Sequence, residues 1–231
     1  TLGKEDRVGR MVKGLMTGLG YTEVLTSSFA DEREIFNCSL WSDEGLLDLR
    51  DPTGRVDRRL RGSLASSLCH ILRINAGYKE RMEGLFEIAS VYHREAGKPR
   101  EKMCLGIVSP TGLSAVKGAV ERVMDAVGLS AVCDIVRGEH PVFREGRGLA
   151  VVAGGETIGR LGEMSDAARS FYDLPSGVAA AEIDFSALCE RAKIDRTYAP
   201  FSRFPPIQRD LALVVENKVE WKAIAECVKS V

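Results

Sequence analysis

Residues Arg81–Glu95, RMEGLFEIASVYHRE, constrain the fold more than any other stretch of this chain. Phe86, Ile88, Val91 and Tyr92 are β-branched or aromatic and favour an extended backbone, and Gly84 and Gly97 punctuate the run at either end. Apolar side chains fall on both faces (Leu85, Phe86, Ile88, Ala89, Val91), the pattern of a central strand covered on each side. The run ends abruptly in His93-Arg94-Glu95. An arginine at a strand tip can hold a phosphate through its planar fork of donors. It is equally the ordinary solvated end of a strand.

The elements around this strand alternate in type. Val8, Met11, Val12, Leu15, Met16 and Leu19 recur at spacings of three and four, which predicts an amphipathic helix over Glu5–Leu19. Gly20 is placed to end it, and Tyr21–Phe29 reads as a strand. A short helix and loop are expected over Asp31–Trp41, a brief strand at Leu46–Leu49 and a turn at Asp51–Gly54. Gly62–Ile74 reads as a helix, and Met103–Val108 as a strand returning antiparallel after a loop at Glu95–Glu101. Leu113–Val127 is a second amphipathic helix, ended by Gly128 and followed by a strand at Val132–Val136. Leu149–Leu161 is a hairpin turning at Gly154-Gly155. A helical turn at Ser165–Arg169, a strand at Val178–Phe185 and a helix at Ser186–Ala192 follow. Pro200, Pro205 and Pro206 then mark a boundary, beyond which Gln208–Val215 reads as a strand and Glu220–Val228 as a helix.

Bulk properties exclude several classes. With 45% apolar and 28% charged residues this is the composition of a globular protein, and a net charge of −1 gives no global attraction to nucleic acid or membrane. No apolar run approaches the roughly 20 residues of a membrane-spanning helix. Six scattered cysteines without a CxxC pair or Cys/His cluster read as buried thiols in a reducing, cytoplasmic setting. Without an initiating methionine, the chain reads as a piece of a longer protein. Arg50, Arg55, Arg58, Arg59 and Arg61 crowd one turn region. Their expected role is an exposed basic patch facing RNA phosphate, a substrate or a partner's acidic surface, or else a solvated turn.

Several segments in one order carry a family resemblance: LMTGLGYTEVLTSSF at Leu15–Phe29, LRGSLASSL at Leu60–Leu68, LFEIASVY at Leu85–Tyr92, KGAVERVMDAVGL at Lys117–Leu129, IGRLGE at Ile158–Glu163 and FSRFPPIQRDLALVV at Phe201–Val215. Together they resemble the β subunit of bacterial phenylalanyl-tRNA synthetase, in its C-terminal half. The chain departs from that family's usual pattern at Ala65-Ser66, where Leu-Pro is common, and at Met164-Ser165, where His-Pro is common.

The resemblance implies an α+β fold, an antiparallel sheet flanked by helices like a class II aminoacyl-tRNA synthetase catalytic domain. Residues 1–199 would form that module, and residues 200–231 the start of a ferredoxin-like anticodon-binding domain. It implies a non-catalytic, structural and interaction role beside an α subunit in an α2β2 heterotetramer, with tRNA bound by the whole enzyme. ATP and magnesium are implied for that whole enzyme and no cofactor or metal for this piece. Arg94 and Glu95 would then be a remnant of the class II second motif, and Met11, Met16 and Leu19 a subunit interface on the first-motif helix. Silence is also read from the residues: the glycines after Glu95, Gly154-Gly155 and Gly159 to Gly162, lie in a hairpin, and no helix opens with the G-x-G-x-x-R that would hold a γ-phosphate. The rival reading is a self-sufficient amino-acid-activating enzyme using Arg94 and Glu95. The tail, lacking neighbour strands, is expected to recruit a second copy of the chain.

Overall fold

In the computed structural model the described residues are 3–30, 33, 38–41, 45–49, 59–76, 82–195, 203–205, 207, 209–216 and 219–230. The chain divides into two compact units, Thr1–Asp195 and Arg196–Val231.

The first unit is built on one seven-stranded sheet in the order β1-β4-β5-β9-β8-β7-β6. Its strands are β1 (Tyr21–Glu23), β4 (Gly84–Glu95), β5 (Lys98–Ser109), β6 (Cys133–Arg137), β7 (Phe143–Ala153), β8 (Glu156–Met164) and β9 (Ala179–Asp184). A separate pair joins β2 (Phe29–Ala30) to β3 (Arg59–Leu60). The helices are α1 (Lys4–Gly18), α2 (Ala65–Ala76), α3 (Leu113–Ala126), α4 (Asp166–Phe171) and α5 (Phe185–Arg191).

The sheet is mixed rather than antiparallel throughout. β1 runs parallel to β4, with Tyr21 opposite Gly84, while the other ladders are antiparallel. A parallel neighbour needs a crossover connection, and α2 lies within the one that links β1 to β4. The strand expected over Tyr21–Phe29 survives only at its ends, because Thr26 leaves the ladder to bond Glu87. Leu46–Leu49 contributes one isolated bridge, Asp48 to Arg59. Most of Asp31–Trp41, and the turn at Asp51–Gly54, lie outside the described residues.

Both faces of the sheet are covered, as the apolar run of β4 requires. Phe86, Leu105, Ile107, Ala181 and Ile183 pack with α1, α3 and α5 in one cluster. Leu85, Val91, Cys104, Val108 and Ala180 pack with α2, Ala168 of α4 and Tyr172 in the other. Successive strand residues point to opposite faces, so the two clusters interleave along each strand. Gly20 and Gly128 end α1 and α3 at φ +88° and +75°, a region open to glycine.

The long loop expected at Glu95–Glu101 is a two-residue turn. Arg94 pairs with Pro99 and Glu95 with Lys98, and Ala96 and Gly97 both take positive φ, 48° and 79°. That is the primed turn whose twist matches a tight hairpin. The second hairpin turns as expected at Gly154-Gly155.

In the second unit, α6 (Trp221–Lys229) forms where a helix is expected. Residues 209–216 form no strand, and Leu211, Leu213 and Val215 are 69%, 56% and 47% exposed. A strand exists only in a ladder, and no partner for it stands among the described residues. No helix of the described residues is long and apolar enough to cross a membrane.

Candidate functional site

Register brings together three residues that are distant in sequence. Glu87 of β4 and Glu182 of β9 both stand opposite Gly106 of β5, so one row across the sheet reads Glu87, Gly106, Glu182. On β8, Arg160 is next in the row, opposite Glu182, and its Nε is buried without a hydrogen-bond partner among the described residues. Both carboxylates are buried.

Glu87 is held by the loop after β1 and by Arg61. Thr26 donates from its amide at 3.1 Å and from its hydroxyl at 2.6 Å, and Arg61 Nη1 lies 3.4 Å from Oε2. Arg61 is only 2% exposed and also donates to the Ser90 carbonyl (2.9 Å), the Thr26 hydroxyl (2.6 Å) and the Ser27 carbonyl (3.3 Å). Thr26 Oγ1 thus sits between carboxylate and guanidinium.

Glu182 is held without a cation. Ser63 Oγ donates at 2.5 Å, the Leu64 and Ala65 amides at 2.9 and 3.3 Å, and Trp41 Nε1 at 2.9 Å. Burial pushes its carboxyl above the ordinary range, and these four donors pull partly back. Lys102 stacks over the Trp41 ring at 3.8 Å and pairs with Asp184 at 3.0 Å. Of the two departures from the family pattern, Ser165 supplies a side chain that proline lacks, whereas at Ala65 only the backbone amide is used. Ala65 lends its amide to Glu182, and Ser165 Oγ caps α4 by accepting from Ala168.

Between the two carboxylates, α2 lies directly on the sheet. A Cβ on Gly106 would come within 2.7 Å of Leu64 Cβ and 2.8 Å of Leu68 Cδ1. The surface above Gly106 is therefore filled by the chain's own leucines.

Arg94 and Glu95 occupy the exposed hairpin tip. Arg94 Nη1 donates to the Gly97 carbonyl at 3.0 Å, and Glu95 accepts from Arg100 at 3.1 Å. They border a groove of about 390 Å³ shared with Trp41, Gly45, Val91, His93 and Lys102. Across it residues near Gly45 pass so close that a Cβ there would meet the Arg94 carbonyl at 2.8 Å, and Gly45 takes φ +80°.

Of the clustered arginines only Arg59 and Arg61 are among the described residues, and Arg61 is not part of an exposed patch. Arg61 is consumed in the interior, because its partner Glu87 is buried and needs a cation. Arg59 pairs with Asp48 at 2.7 Å. Arg50, Arg55 and Arg58 lie outside the described residues. On α1, Met16 is fully buried in the chain's own core, so it is not available to a subunit interface, and Leu19 is half-buried against that core. Met11 is 37% exposed. On the other flank of α1 a groove of about 310 Å³ is lined by Glu5, Asp6, Gly9, Arg10 and Lys13 together with Ile88, Met103 and Phe185.

Sequence reasoning missed Glu87 and Glu182. Each carried a signal, being the one charge in an apolar strand run, FEIAS or VAAAEI. Among the described residues, no group of three or more His, Cys, Asp or Glu side chains is placed to hold a metal ion.

Residues 1–185 match the family described as the phenylalanyl tRNA synthetase beta chain CLM domain. The phenylalanine–tRNA ligase β subunit of Symbiobacterium thermophilum is 30% identical over 232 residues, covering 92% of this chain and 26% of that protein. Its counterpart in Listeria monocytogenes is 26% identical over 244 residues, covering 99% of this chain and 30% of that protein. The chain thus spans less than a third of the length of these curated relatives. Among solved structures, the pyrrolysyl-tRNA synthetase of Desulfitobacterium hafniense superposes with a TM-score of 0.65 at 14% identity, over 80% of this chain and 67% of that one. That likeness is one of fold.

Proposed function

Since the chain belongs to the phenylalanyl-tRNA synthetase β-chain family, we propose that it serves phenylalanyl-tRNA synthesis as a non-catalytic scaffold and interaction module beside an α subunit. The observation that carries this reading is the packing of Leu64 and Leu68 onto Gly106, between two carboxylates already supplied with internal donors. A reacting group needs both space and unspent partners, and this face of the sheet offers neither at its centre. Arg94 is likewise spent on its own turn. ATP, phenylalanine and magnesium belong, in this reading, to the α subunit.

The α subunit is assigned to the outer face of α1 and the groove beside it. Met103, 38% exposed, lines that groove with Ile88 and Phe185, and Glu5, Asp6, Arg10 and Lys13 rim its apolar floor, while Met11, 37% exposed, lies on the other flank of the helix. Exposed large apolar side chains rimmed by charge are the make-up of a protein–protein contact.

Amino-acid-dependent ATP–pyrophosphate exchange tests the reading. The chain alone is expected to show none and to co-purify with its α subunit, which supplies the exchange. Exchange by the chain alone, abolished by Arg94→Ala, would overturn it in favour of a self-sufficient enzyme.

A further inference from the structure

Cys38 and Cys69 belong to different parts of the chain, the segment at 38–41 and helix α2, and their sulfurs meet in the core. Both side chains are fully buried and the Sγ atoms lie 3.8 Å apart. A disulfide bond is about 2.05 Å long, so closure asks each sulfur to move by about 1 Å, which a χ1 adjustment supplies. Met164 Sδ, 3.5 Å from Cys69 Sγ, is a soft and adaptable neighbour to that movement.

We infer that Cys38 and Cys69 form a reversible disulfide latch that fixes the Trp41 segment over Glu182. Two of the segment's hydrogen bonds lead to that carboxylate. Leu40 donates its amide to Ser63 Oγ (3.3 Å), Ser63 donates to Glu182, and Trp41 Nε1 donates to Glu182 (2.9 Å). The contact with Cys69, and burial, hold the Cys38 thiol protonated far above its usual range. Only a thiolate attacks, so the reaction waits for the segment to open and water to reach the sulfur. The oxidant is a low-molecular-weight disulfide. One cysteine thiolate, its proton released to water, attacks a sulfur of that disulfide and expels a small thiolate, leaving a mixed disulfide. The second cysteine thiolate then displaces the remaining small thiolate and closes the Cys38–Cys69 bond. Two protein thiols are oxidised and one small disulfide is reduced to two thiols. A small dithiol reverses both steps.

The first test needs no variant. The protein is incubated under native conditions with excess oxidised glutathione, blocked with N-ethylmaleimide in denaturant, and digested with trypsin without reduction. The tryptic peptides Glu34–Arg50 and Gly62–Arg73 hold one cysteine each. They are expected joined, and separated by dithiothreitol. Oxidised protein is expected to melt several degrees above reduced protein, a gain that Cys38→Ser removes. Recovery of both peptides as maleimide or glutathione adducts, or linked to another cysteine, overturns the proposal. So does an oxidised form that melts no higher than the reduced one.

Discussion

Glu87 and Glu182 stand on either side of Gly106 in one row of the sheet, and they are neutralised by different means. Glu87 has a guanidinium, Arg61, and Glu182 has only hydrogen-bond donors. An ion pair loses its worth once one partner is gone, whereas a carboxylate held by dipoles responds to pH and to each donor separately. The two ends of the row therefore fail in different ways.

Removing Arg61 leaves a buried anion with only Thr26 as donor. Arg61→Ala is expected to destabilise the first unit by about 3–5 kcal/mol, the usual result of stranding one member of a buried pair. Adding Glu87→Gln should recover part of that loss, so the double variant is more stable than the sum of the single effects. Urea denaturation of the four proteins checks this. Strict additivity would show that the two side chains do not act as a pair.

Glu182 makes a prediction in pH. Burial raises its carboxyl above the ordinary glutamate range in the folded state. Below the unfolded value, about 4.3, both states are protonated and the group costs nothing. As pH rises through the folded value, the folded state holds a charge it disfavours, and stability falls. Trp41→Phe takes one donor from the charged form and drives the folded value higher still. The variant's deficit should therefore be larger at pH 8 than at pH 4.5, by about 1–2 kcal/mol. Urea midpoints of wild type and variant at the two pH values give the comparison.

What was legible in the sequence was local. The period of α1 and α3, their terminal glycines and the two-faced apolar run of β4 follow from residues a few positions apart. The misreadings that bear on the site are long-range. Arg61 looks like one member of an exposed arginine cluster until β4 brings Glu87 to it from 26 residues away. Met16 reads as surplus apolar surface until α3 packs over it. The strand expected near Leu211–Val215 has the right side chains but no ladder to join. Pairing across the sheet has no signature along the chain, so the Glu87, Gly106, Glu182 row emerges only once the register is known.

Gly106→Ala should be destabilising by about 1–3 kcal/mol, the range for overpacking a filled core. The added methyl would sit 2.7 Å from Leu64 Cβ, an atom fixed by the backbone just ahead of α2, so a rotamer change cannot relieve it. Combining it with Leu68→Ala should recover little, because Leu64 still obstructs. A neutral Gly106→Ala in thermal unfolding would mean that α2 lies farther from the sheet.

Ala96 holds φ 48° at the first position of the β4–β5 turn, where an alanine pays a steric penalty that asparagine largely avoids. Ala96→Asn should stabilise the unit by about 0.5–1 kcal/mol. Because the residue is exposed at the tip, no packing offsets the gain. Equal or lower stability in urea would show that the turn relaxes away from this geometry.

The interface assigned to α1 makes the last prediction. Met11 and Met103 are exposed, so replacing either with glutamate disturbs little within the chain. Surface substitutions of this kind usually change stability by less than about 0.5 kcal/mol. At a buried contact the same charge would be desolvated, and beside Met103 the groove already carries Glu5 and Asp6 as well as Arg10 and Lys13, so it would weaken assembly by tenfold or more. Met11→Glu and Met103→Glu should therefore leave the melting temperature of the chain nearly unchanged while reducing its affinity for the α subunit, read by sedimentation or titration of the purified subunits. Met16→Glu is the contrasting control, since Met16 is fully buried in the chain's own core and its variant should fail to fold. Unaltered affinity in both surface variants would move the α contact off this face.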